Sequence, residues 1–293
     1  MIGNRSQAVQ LGLGLGFVGA LVLIVSPMGV DDFSEVFWPA GRAADPYASG
    51  VYFYPVWNTW MLRALALFPR QFGLCFLWAC SMVYVLTLAP VWDTPSWVAL
   101  LAPPFLTAMF FGHPFEAMVF VGVSLLWLGW RWRQAGWMGM GIALCLFKPQ
   151  LGLLPALVGA YTLAFCAGGR RWAGLAIPVG MVCLATLLEW VFYGVVWVSP
   201  WWEAMRQAPK VAAAWNVSAL LTLRVFWFLW LPIGLWFLPK VQGFRRRLWV
   251  AMALGLLISP YWAGYSLYPL VAMAGCWTRR GETCFASCSW YGC

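Results

Sequence analysis

Four of the chain's nine carboxylates, Asp31, Asp32, Glu35 and Asp45, fall within fifteen residues, in the stretch DDFSEVFWPAGRAADPYASGVYFYP that runs from Asp31 to Pro55 directly after the first apolar segment. A carboxylate at the border of an apolar bundle can act as a general base, and polar groups in such a place are a functional hypothesis by default. The same acids also suit a solvated loop that stays out of lipid. Lys148 is the second candidate. It stands in Lys148-Pro149-Gln150 at the end of a short apolar segment among Leu and Phe, where an ammonium is costly unless it meets an anion or snorkels to the interface along its own stem. Arg206, Lys210 and Arg224 could add contacts to a phosphate, Arg being suited to bidentate anion recognition, although a solvated face is the plainer role for Arg206. His113, the only histidine, lies in Gly112-His113-Pro114 and has the marks of a turn residue, with no carboxylate–histidine cluster evident for a metal. Glu116 and Glu189 are flanked by apolar residues, and either could pair with Lys148 or Arg224.

These residues are carried by a chain that is not that of a soluble domain. Of its 293 residues 63% are hydrophobic and 9% charged, against about 25% charged in ordinary soluble proteins. The composition is that of an all-α integral membrane protein. The net charge of +9 does not point to nucleic acid, because the Lys and Arg residues form short clusters between apolar runs. Cys75, Cys80, Cys145, Cys166 and Cys183 are scattered singly in apolar segments as small hydrophobes. Cys276, Cys284, Cys288 and Cys293 lack the paired spacing of common zinc sites, so no metal is expected.

About ten transmembrane or half-transmembrane segments are expected, at 8–27, 71–90, 97–112, 114–130, 135–147, 151–167, 172–195, 216–238, 248–259 and 264–278. Residues 8–27 are expected to be a retained helix, not a cleaved signal. The segments 135–147 and 248–259 are too short to cross alone, and each stops at a proline-containing polar triplet, a pattern of helices that line a cavity. With a cytoplasmic N-terminus, eleven of the eighteen basic residues fall inside and seven of the nine acids outside. The outer face then gathers Asp31, Asp32, Lys148, the loop 197–215, Asn216-Val217-Ser218 and Ser259-Pro260-Tyr261. Residues 51–69, with Trp57 and Trp60, are expected to form an interfacial helix on that face. No internal repeat is evident. One polytopic domain over 1–278 is expected, with 31–70 as its outer-face catalytic loop and 279–293 as a polar, Cys-rich tail without order.

The order D-F after the first span, D-P-Y and Y-P in the first outer loop, K-P-Q mid-chain, N-x-S opening a late helix and S-P-Y-W near the end resembles glycosyltransferase family 87. These are GT-C-type membrane proteins that use polyprenyl-phosphate sugars. The resemblance covers roughly residues 10–275. It implies a general base at Asp32, with Asp31 as the neighbouring alternative, and a donor-phosphate site at Lys148, with Gln150 and Arg224. It also implies a substrate cavity that includes Tyr54, His113, Glu116, Asn216, Ser218, Ser259 and Tyr261. The implied reaction moves a hexose, mannose above all, from a polyprenyl phosphate to a lipid- or glycan-borne hydroxyl with inversion, at the outer face of the plasma membrane. No cofactor is required, and the partners are the lipid-linked donor, the acceptor and membrane lipids. The chain departs from the family pattern at His113, at Tyr265-Ser266-Leu267 and in its early end. A transporter or flippase for a lipid-linked or anionic solute, using Lys148 and Glu189 as a pair, and an inactive scaffold of the same fold are the alternatives.

Overall fold

The structure, a computed structural model, describes residues 32–50, 52–110, 112–113, 115–166, 171–194, 196–211, 229–259 and 264–277. Among them every regular element is helical. A π-helical turn, Phe33–Phe37, runs directly into α1 (Trp38–Arg42). A loop leads to α2 (Trp57–Ala66) and then α3 (Arg70–Leu88), which a 3-10 turn extends to Trp92. Next come α4 (Ser96–Leu101), α5 (Pro103–Phe110), α6 (Phe115–Arg131), α7 (Ala135–Cys145), α8 (Pro149–Cys166) and α9 (Arg171–Tyr193). The chain continues through α10 (Val198–Val211), α11 (Trp230–Phe237), α12 (Phe244–Ile258) and α13 (Tyr268–Ala272). The expected first span 8–27, most of 216–238 and the tail 279–293 lie outside the described residues.

Among the described residues two helices are long and apolar enough to cross a bilayer: Arg70–Trp92 and Arg171–Tyr193, each of 23 residues. The expected segment 97–112 is two short helices. They part at Ala102, whose extended backbone precedes Pro103-Pro104, as a residue before proline is driven out of the α region. The segment 135–147 is short, as its polar stop suggests, and 248–259 is the greater part of the 15-residue α12.

Small residues let the helices approach. A Cβ on Gly122 of α6 would meet the Gly141 carbonyl of α7 at 2.8 Å, and one on Gly139 would meet the Gly174 carbonyl of α9 at 2.1 Å. Glycines at these positions let the helix backbones come into contact. The exterior is apolar. Val179, Leu184, Leu187 and Val191 of α9 are exposed while Glu189 between them is fully buried.

The contacts between elements give the bundle two ends. At one lie Asp93, hydrogen-bonded to Arg245, and Thr94, hydrogen-bonded to Gly275. At the other lie the start of α6, the α7–α8 turn, the end of α9 and α2. The expected interfacial helix at 51–69 is α2, and it differs from expectation in being embedded. Asn58, Thr59, Leu62, Arg63 and Leu65 are buried, because its polar side chains find partners on α7 and α9. The helix with an exposed polar edge is α10, where Glu203, Arg206 and Gln207 face outward while Trp201, Ala204 and Met205 pack on the core.

Candidate functional site

The site is organised by the turn that opens α6. Gly112 has φ +67°, a conformation open to glycine without strain, and it turns His113 inward. His113 Nε2 lies 2.5 Å from Asp32 Oδ2. The imidazole is buried and the carboxylate is 41% exposed, so the pair reaches from the packed interior to the surface. Aromatic rings seat it. His113 meets Phe37 edge-on at 5.4 Å, Phe37 meets Phe115 at 5.1 Å, and Tyr54 packs on Phe115 at 4.4 Å. Asp32 and His113 thereby form the carboxylate–histidine pair that was not evident from a lone histidine 81 residues away.

One helical turn further along, Glu116 Oε1 accepts a hydrogen bond from Lys148 Nζ. Lys148 also donates to Ser266 Oγ (3.0 Å), and Ser266 stands 3.4 Å from the same carboxylate oxygen. All three side chains are buried. The ammonium therefore neither snorkels nor waits unpaired: it sits in a neutral pair. The other oxygen, Glu116 Oε2, has no hydrogen-bond partner among the described residues. Ser266, which counts as a departure from the family pattern, is the third member of this group.

The Lys148 turn is held by α2. Trp57 Nε1 donates to the Leu146 carbonyl (3.1 Å) and Asn58 Nδ2 to the Phe147 carbonyl (2.6 Å), two of the acceptors that the end of a helix leaves without intrahelical donors. Further along α2, Arg63 forms a bidentate pair with Glu189 of α9 (3.1 and 3.0 Å), joined by the Thr59 hydroxyl at 2.6 Å. Arg63 also donates to the Ala43 carbonyl at 2.7 Å and lies 3.5 Å from the centre of the Tyr193 ring. Glu189 is thus committed to Arg63, not to Lys148. Arg63 was missed in the sequence, although a buried arginine must find an anion and Glu189 is one of few available.

The loop between α1 and α2 is locked in the same way. Asp45 accepts from the Tyr47 amide at 2.9 Å, the turn role suited to an aspartate before proline, and Tyr47 Oη donates to the Tyr54 carbonyl at 2.8 Å. Burial, and then the charges of Glu189 and Asp45, push the Tyr47 phenol far above its ordinary range. Burial does the same to Tyr52. Both remain neutral at any physiological pH.

Gln150 lies on the first turn of α8, with its side-chain oxygen lacking a partner among the described residues. Ser259 is buried at the end of α12, and α12 reaches this end of the bundle because Gly255 lies against the Gln150 and Leu151 carbonyls. Arg206 is exposed, 3.9 Å from Glu203. Asp31, Asn216, Ser218, Arg224 and Tyr261 lie outside the described residues. Asp32, Tyr54, His113, Glu116, Lys148, Gln150 and Ser259 are therefore brought to one end of the bundle. Comparison with protein-family models, with curated proteins and with solved structures gave no match to this chain.

Proposed function

We propose that the chain is a membrane-embedded glycosyltransferase of the GT-C type, built from about ten crossing and half-crossing helices. It moves a hexose, mannose above all, from a polyprenyl phosphate to a lipid- or glycan-borne hydroxyl. The resemblance to family 87 suggests the reaction. The observation that carries it is the His113–Glu116 turn, one turn of backbone that links the Asp32–His113 pair to the buried Lys148.

In this reading Asp32 takes the proton of the acceptor hydroxyl as its oxygen attacks the anomeric carbon. The bond from that carbon to the phosphate oxygen breaks on the opposite side, and the phosphate departs with the electron pair. A single displacement inverts the anomeric carbon. The leaving group is already a stable anion, so no second acid is needed. His113, on the buried side of Asp32, fixes the orientation of the carboxylate, and Lys148 holds the phosphate. The end that bears the site faces the outer side of the plasma membrane, and the Asp93–Arg245 end faces the cytoplasm.

A transporter that relies on a Lys148–Glu189 pair is less well supported, because each residue has a different buried partner. An inactive scaffold is favoured by one observation, that Glu116 already answers the Lys148 charge. Incubating the purified protein with polyprenyl-phosphate mannose and candidate acceptors, and following sugar transfer by mass spectrometry, separates these readings. Transfer of one hexose supports the enzyme. Donor binding without transfer supports the scaffold.

A further inference from the structure

The Lys148–Glu116 pair raises a charge question that any anion entering this site must answer. Lys148 and Glu116 are 1% and 0% exposed, so the pair is neutral and lies in a medium where unbalanced charge is expensive. A sugar phosphodiester carries one negative charge. Placed on Lys148, it would share a single ammonium with a carboxylate already bonded to it, and two anions at one buried cation strongly disfavour the charged carboxylate. Resting on the reading of Lys148 as the donor-phosphate residue, we infer that Glu116 takes up one proton from solvent as the donor binds, so that the site is neutral both empty and occupied.

The surroundings of Glu116 suit the protonated form. Its Oε2 has no partner among the described residues, and a carboxylic O–H there needs an acceptor. Tyr268 Oη is likewise buried and without a partner among the described residues. The Tyr268 ring packs edge-on against Phe120, four residues along the same face of α6 as Glu116, at 6.1 Å between centroids. Ser266, which already touches Glu116 and Lys148, lies two residues before it.

The other groups that bear on Glu116 are few. His113, with Asp32, precedes it on its own turn. Tyr268 comes from α13, with Tyr84 of α3 beyond it. The buried Cys145 thiol of α7 lies against Gly122, six residues further along α6, and the α12 residues Arg245 and Arg246 bind Asp93 and Cys276 at the opposite end. Lys148 is the cation in direct contact, so donor binding at that cation changes the field on Glu116 more than on any other acid.

The test is calorimetric. A short-chain polyprenyl-phosphate mannose is titrated into the full chain in detergent, at one pH, in two buffers of different ionisation enthalpy. The difference in apparent enthalpy counts protons, and about one per donor is expected. Uptake on binding means that affinity falls as pH rises, by about tenfold per unit where linkage is complete. The diester itself does not titrate in this range. E116Q should bind without proton uptake, with Kd unchanged between pH 6 and pH 8. H113Q should keep the uptake, which assigns it to Glu116. Lys148-dependent binding with no proton taken up by the wild-type chain would overturn the inference while leaving the phosphate site intact. No donor binding at all would remove both.

Discussion

The two ends of the bundle each hold a buried ion pair, but they are finished differently. At the Asp93 end, Arg245 meets Asp93 at 2.8 Å with its guanidinium over the rings of Trp92 and Trp127 at about the same distance, 5.5 and 5.4 Å. Thr94 caps the Gly275 amide, Arg246 donates to the Cys276 carbonyl, and Trp92 donates to Ser124. Asp93 itself closes the 3-10 turn in a left-handed conformation, φ 59°. Each of these contacts joins two elements, so this end is a clamp. At the Lys148 end the Lys148–Glu116 and Arg63–Glu189 pairs are more deeply buried, Glu116 Oε2, Gln150 Oε1 and Tyr268 Oη lack partners among the described residues, and Asp32 opens toward the surface. Buried polar atoms without partners cost stability. The Asp93 end carries such atoms too, Trp127 Nε1 and Arg247 Nε among the described residues, so the two ends differ in exposure: Asp32 is 41% exposed and Asp93 18%.

Breaking one ion pair at each end should expose this difference. The largest loss of stability is expected for R63A, which leaves Glu189 fully buried without its bidentate partner at a cost of about 3–5 kcal/mol. It is read as a drop in detergent unfolding midpoint, accompanied by proteolytic cleavage in the 43–56 loop that Arg63 ties down. K148M should cost a similar ~3–5 kcal/mol by stranding Glu116, and K148M/E116Q should recover most of that stability without recovering donor binding. If the double variant binds donor as wild type does, Lys148 is not the phosphate residue. R245A should cost less, about 2 kcal/mol, as expected for hydrogen bonds to a charged group at a partly exposed pair. The smallest effect is expected for T94A, about 1 kcal/mol from one hydrogen bond, with sugar transfer per folded molecule unchanged in both.

The residues also show how far sequence can be read in an apolar helix bundle. The threading of apolar runs and basic clusters sets Arg245 on one side and Asp32 and Lys148 on the other, and in the structure Arg245 pairs with Asp93 at the end away from Lys148. Hydropathy does not report which way a side chain faces around a helix. The partners of Glu189 and Lys148 were therefore open, and the choice between Arg63, 126 residues away, and Lys148 was made only by packing. The embedded position of α2 was hidden for the same reason. Trp57 and Trp60 suit an interface, whereas Asn58, Thr59 and Arg63 on the other face find helix ends and a carboxylate. His113 was expected in the cavity and Ser266 stood out only as a departure from a pattern; His113 contacts Asp32, and Ser266 contacts Lys148 and Glu116.

The central claim, that one end does chemistry while the other only clamps, is tested most directly by the same small change made at each. Asp32→Asn and Asp93→Asn each replace a carboxylate by an amide of equal size, and sugar transfer per folded molecule is measured for both beside the unfolding midpoint. D32N should lose transfer by about 10²- to 10⁴-fold, the usual contribution of a general base, with its midpoint and donor binding near wild type. D93N should lower the midpoint and leave transfer per folded molecule intact. Full transfer by D32N, or loss of transfer by D93N without loss of fold, would contradict the account.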